Sequence, residues 1–233
     1  MLERMIEGYD PLDVVALVWF LLCWFGFPLY SDRIGKSRGN LRGLMTQLRE
    51  GWITVMLRRD NRIVDIQIVR ILQRTFWFFA STAMLILLGL ITVLGVTDKA
   101  IVLVGKLPFT AEMSEQKWEM LMLLLIFVFV YSFFKFTWAM RQLNIFATLI
   151  GLAPLAGEVG EEGREFARLA GGVVTLATVN ANRGARAYYF GLSLLAWFIH
   201  PLAMIVAATL VVIILYRREF TSKSIDFLRS LTE

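Results

Sequence analysis

Apolar and polar residues fall along this chain in blocks. Four apolar blocks, at about 12–30, 76–96, 118–140 and 188–216, carry few charges. A helix rises ~1.5 Å per residue, so ~20 residues cross the ~30 Å hydrocarbon core of a bilayer. The pattern therefore predicts four membrane-spanning helices. The first opens on Asp10-Pro11-Leu12-Asp13, where Asp10 suits a helix cap, Pro11 the first helical position and Asp13 the positive first turn. It closes near Pro28, ahead of a glycine-rich turn at residues 35–40.

The stretches between the blocks predict further helix. From Asn40 to Arg59, Leu41, Leu44, Met45, Leu48, Trp52, Val55 and Met56 recur at helical spacing with the arginines mostly off that stripe. Such a stripe suits either the headgroup layer or the chain's own helices. Asp60 is placed to cap the next helix. That helix meets no breaker between Asn61 and Val96, ~54 Å of helix against ~30 Å of hydrocarbon, so part of it should project into water. Residues 97–117 read as a mixed, exposed loop closed by an imperfect capping box, Ser114 to Lys117. The third block continues its pattern to Leu152, a second projecting helix. Residues 155–187 are polar and rich in small side chains, with a helix start near Glu161. Ala177, Ala181 and Ala185 there would let another helix approach closely, which favours a homo-oligomer; a re-entrant segment is the rival reading. The fourth block should kink at Pro201, and a short amphipathic helix is expected through Ile225 to Leu231.

Composition agrees with the blocks. With 58% hydrophobic residues in 233, one integrated all-α membrane domain is expected, a four-span bundle with helices extended on the cytoplasmic side. The single Cys23 rules out an internal disulfide. The amino end shows no cleavage site, so the first block is expected to stay as a span rather than leave as a signal peptide. The net charge of +5 informs mainly through its distribution: ten Lys and Arg fall in residues 31–75 and five in 141–187, against one at the amino end, three in 97–117 and four after Tyr216. Four spans then place 31–75 and 141–187 inside and both termini outside. Anionic lipid headgroups are the expected partner of such a surface, and no nucleic-acid module accompanies it.

Six residues stand out chemically. His200, the only histidine, and Lys135 are ionisable groups inside apolar blocks. A functional reading makes them a proton relay or part of an anion path. A structural reading has His200 donate to a backbone carbonyl freed by Pro201, and Lys135 snorkel to the headgroups. Asn180, Asn182, Arg183 and Arg186 form the densest polar cluster beside a block. Paired arginines with amides suit a phosphate or carboxylate, and they equally suit an interfacial anchor neutralised by Glu158 to Glu165. One histidine and one cysteine are poor material for a metal site, so no metal or cofactor is expected. No nucleophile elbow, phosphate-binding loop, metalloprotease helix or paired-cysteine motif is present, and no catalytic residue is assigned.

The run Asn182-Arg183-Gly184-Ala185-Arg186-Ala187-Tyr188-Tyr189-Phe190, with Ala196-Trp197-Phe198 and Arg218-Glu219-Phe220, resembles domain-of-unknown-function family 599, small multi-span membrane proteins of bacteria and plants. The resemblance covers nearly the whole chain and implies no known activity. The expected location is the bacterial inner (cytoplasmic) membrane. The first expectation for function is a non-catalytic homo-oligomeric pore or transport-like assembly using Lys135 and His200; the alternative is a non-catalytic scaffold whose basic inner surface recruits anionic lipid or a protein partner, and a lipid-modifying enzyme comes third.

Overall fold

Local capping sets the helix starts. The Asp10 side chain accepts the Leu12 amide at 3.4 Å and its carbonyl accepts the Asp13 amide at 2.8 Å, so α1 (Pro11–Ile34) begins where the sequence indicates. This computed structural model describes residues 10–34, 41–106, 114–156 and 160–221. Among the described residues six further α-helices follow: α2 (Leu41–Leu57), α3 (Ile63–Leu94), α4 (Thr97–Gly105), α5 (Glu115–Leu152), α6 (Glu161–Leu195) and, after a 3₁₀ turn at Ala196–Phe198, α7 (Pro201–Phe220). Among the described residues all regular structure is helical, the all-α class expected. Four segments, Pro11–Ser31, Ile63–Leu94, Glu115–Leu152 and Pro201–Phe220, are long and apolar enough to cross a membrane. The expected turn at 35–40 and the tail helix lie outside the described residues.

Several expectations need correcting. Asn61, not Asp60, caps α3: its Oδ1 accepts the Ile63 amide at 2.9 Å, the same two-residue spacing that Asp10 uses. Residues 97–105, expected in a loop, form the helix α4, none of whose residues is buried. The Ser114 hydroxyl does accept the Lys117 amide, at 3.3 Å, so the imperfect capping box works as half a box. Residues 161–195 are one continuous helix rather than a re-entrant segment.

The chain packs as two compact units, and α3, α5 and α6 are long enough to contribute a stretch to each. The first unit comprises the described parts of residues 1–32, 82–132 and 185–216. Within it α6 runs antiparallel to α1: Trp197 meets Asp13, Phe190 meets Phe20 edge-on at 6.0 Å, and Arg186 meets Phe27 and Ser31. Gly191 lies against Phe129 of α5, where an added Cβ would come within 3.1 Å of the ring.

Here the fourth apolar block differs from expectation. Residues 188–216 are not one kinked span: α6 ends at Leu195 and a new helix begins at Pro201. The Trp19 indole donates to the Thr209 hydroxyl at 3.0 Å. Were α7 to continue the course of α6, Thr209 would stand roughly 12 Å beyond the turn and Trp19 roughly 9 Å before it, a gap no indole bridges. So α7 turns back and runs parallel to α1, making α6 and α7 a helical hairpin. Proline favours this break, since at a first helical position its missing N–H is no loss, whereas inside a helix it removes a bond and clashes with the preceding turn.

The second unit comprises the described parts of residues 33–81, 133–184 and 217–233. Of the expected stripe on α2, Leu44 and Met56 are buried, with Ile53 and Leu57 buried beside them; Met45, Leu48 and Trp52 are half-buried and Val55 is exposed. Phe136 stacks on Phe79 at 5.2 Å and is 2% exposed. Opposite lies the small-residue face of α6. Ala167, Ala170, Val174, Ala177 and Ala181 are all buried within the single chain. Ala177 and Ala181 of the spacing expected to serve contact between copies therefore already pack inside the protein, and Ala185 is half-buried. The α2–α3 corner is tied by Asp65, fully buried, which accepts from Trp52 at 2.8 Å and Arg59 at 3.0 Å. Arg62 donates to the carbonyls of Ile150 and Ala153 at 3.4 and 3.0 Å, and to that of Pro154, which supplies a cation to the negative end of α5.

Candidate functional site

The first unit holds a charged cluster where the first turns of α1 and α5 meet the hairpin turn. Lys117 Nζ lies 2.7 Å from Asp13 Oδ1, both side chains less than one-tenth exposed. The buried Trp197 indole donates to the same oxygen at 2.8 Å, and Lys117 sits over the Trp197 ring at 5.8 Å. Desolvating two charges is expensive and is offset only by close geometry and further hydrogen bonds, both present here. This cluster fixes the turn to the starts of two helices. Sequence reasoning gave Asp13 a dipole role and Lys117 a capping position, and it did not pair them. The available signal was that both are charged residues in the first turn of an apolar helix, two groups that start at the same membrane level if the helices run the same way.

His200 belongs to this turn. Its side chain is exposed, and Nδ1 accepts the Leu202 amide at 3.2 Å. The ring thus caps α7 rather than donating to a freed carbonyl, and the accepting Nδ1 places the proton of the neutral ring on Nε2. The backbone amides of Ile199 and His200 both return to the Ala196 carbonyl, at 3.1 and 3.2 Å, and the His200 carbonyl accepts the Met204 amide at 3.3 Å.

In the second unit two of the sequence-selected residues come together. Lys135 Nζ approaches Asn180 Oδ1 at 3.5 Å, while Asn180 Nδ2 donates to Gln142 Oε1 and to the Leu176 carbonyl, each at 3.0 Å. Asn180 is 8% exposed, so its amide is used from both ends inside a packed seam. Gln142, one helical face from Lys135, was not singled out in the sequence. Arg183 lies in this unit, half-buried, and Asn182 projects from α6 with its side chain exposed. Arg186 is held in the first unit, its guanidinium 3.4 Å from Ser31 Oγ and over the Phe27 ring at 5.2 Å. Glu165, expected to neutralise these arginines, instead accepts two hydrogen bonds from Arg168 one turn on, at 2.8 and 2.6 Å. That guanidinium holds its carboxyl below the usual range. Among the described residues no group of three His, Cys, Asp or Glu side chains is arranged to hold a metal ion.

Long apolar helices, and buried charged side chains that among the described residues each have an ion-pair partner, define a helical multi-pass membrane protein. The chain belongs to the family described as protein of unknown function, DUF599, whose model matches residues 15–224. No curated protein and no solved structure matches it.

Proposed function

We propose that this protein is a non-catalytic scaffold of the bacterial inner membrane whose basic inner surface binds anionic lipid headgroups. One observation carries the reading: the reversal of α7 regroups the charges. With α6 and α7 as an antiparallel pair, α6 adds a crossing to the four apolar helices, and the chain after Tyr216 returns to the side of residues 31–75. Ten Lys and Arg in 31–75, five in 141–187 and four after Tyr216 then share one side, nineteen against the four of the amino end and residues 97–117. That asymmetry is far stronger than the four-span reading allows, and it fits an amino terminus outside and a carboxyl terminus inside. Each basic residue near an anionic surface adds ~1 kcal/mol of attraction, so a face of this kind is a lipid-binding surface in its own right.

The residues that favoured a pore have structural partners: Lys135 is engaged by Asn180, and His200 caps a helix. Protein purified and reconstituted in mixed vesicles should retain phosphatidylglycerol several-fold over phosphatidylcholine and should pass small ions no faster than empty vesicles. Ion flux above that baseline without lipid preference would replace the scaffold reading with the pore.

A further inference from the structure

We propose that the groove between α3 and α5 in the second unit is a binding site for the phosphate of a single anionic phospholipid. The proposal deepens the scaffold reading and rests on it. The groove has a volume of about 540 Å³ and is lined by Gln73, Arg74 and Trp77 of α3 and by Thr137, Arg141 and Asn144 of α5, among others. That size lies in the range of about 300–1,000 Å³ usual for small-ligand sites. The spacing is helical on both sides: residues 73, 74 and 77 share one face of α3, and 137, 141 and 144 share one face of α5.

The floor is fixed and the cations are left available. Gln73 Nε2 donates to Asn144 Oδ1 at 2.7 Å, which sets the two helices in register and brings Arg74 and Arg141 to the same groove. Arg141 lies over the Trp138 ring at 5.4 Å. A ring contact takes up no oxygen acceptor, so N–H groups that match phosphate oxygens two at a time remain for a ligand. Both arginines are exposed, and among the described residues neither forms an ion pair; no acidic side chain lines the groove.

The surroundings point to a lipid rather than a free anion. Trp77, Phe78, Phe134 and Trp138 are each more than half exposed beside the groove, an apolar flank that free phosphate does not use and acyl chains do. Depth agrees. Arg74 precedes Leu94, the last residue of α3, by about 20 residues, roughly 30 Å of helix, which is the thickness of the hydrocarbon core. Two arginines then stand at headgroup level with two tryptophans in the interfacial belt.

The test is native mass spectrometry and vesicle retention of the intact chain with dioleoyl phosphatidylglycerol, dioleoyl phosphatidylcholine and inorganic phosphate as separate probes. Wild type should carry one tightly held phosphatidylglycerol. Arg74→Gln with Arg141→Gln should weaken it on the order of tenfold or more, the scale of losing charge-assisted hydrogen bonds. Arg58→Gln with Arg70→Gln removes two exposed arginines of the same basic surface outside the groove; it should weaken vesicle retention generally and leave the single tightly held lipid in the mass spectrum. Wild type without preference for the anionic lipid overturns the scaffold reading itself. The tightly held lipid kept in the groove variant, or lost equally in both pairs, overturns the groove while leaving the basic surface. Displacement of the lipid by millimolar phosphate overturns the lipid assignment. A groove variant with unchanged thermal midpoint and Arg→Lys variants that recover only part of the binding would mark the planar fork as the recognition element.

Discussion

At the scale of single residues, His200 separates a relay from a cap. A cap needs only an acceptor at Nδ1, which asparagine reproduces, whereas a proton relay needs the titrating ring. His200→Asn should keep the thermal midpoint of the solubilised protein near wild type, and His200→Ala should lower stability by about 1 kcal/mol. Loss of stability in both variants alike would remove the capping role. The same residue shows what the sequence discloses. Caps at Asp10 and Ser114 were legible because a cap is made within three residues of its helix. The ring of His200 was read against a kink because Pro201 in an apolar run looks like a kinked helix until the chain is seen to reverse. Asp13 and Lys117 pair across about 100 residues, and no local pattern encodes that distance.

At the scale of elements, α6 is built for close approach, and Gly184 is the tightest of Gly171, Gly172, Gly184 and Gly191. A Cβ there would lie 2.7 Å from the Phe136 ring, which is itself buried and stacked on Phe79, so the ring cannot swing freely away. Gly184→Ala should therefore destabilise by about 1–3 kcal/mol, the usual cost of overpacking a filled core. Gly172 on the same helix has nothing within 4 Å of such a Cβ, and Gly172→Ala should be neutral or raise stability by about 0.5–1 kcal/mol. Thermal unfolding in one detergent compares them; equal effects would mean that helical propensity, not the Phe136 contact, governs both. The small residues of this face were visible in the sequence, but their partner was not. Alanine at four-residue spacing states that something packs closely and leaves open whether it is another copy or the same chain.

At the scale of the whole molecule, apolar length fixed which segments are greasy enough to cross and left their directions open. Residues 188–216 read as one span because hydropathy is blind to a turn made of Ala196, Trp197 and Phe198. The start of α6 was legible near Glu161, but its length was not, because much of its buried face is made of alanines rather than large apolar residues. The reversal at this turn is what puts the basic segments on one side in the proposed topology, and sidedness measures it most directly. In a Cys23→Ser background, single cysteines at Glu115, Asp60 and Thr221 are offered an impermeant thiol reagent on intact cells and again after permeabilisation. The cysteine at 115 should react on intact cells, and those at 60 and 221 should react only once the membrane is opened. Labelling of 221 together with 115 on intact cells would contradict the reversal and restore a four-span chain with both termini outside.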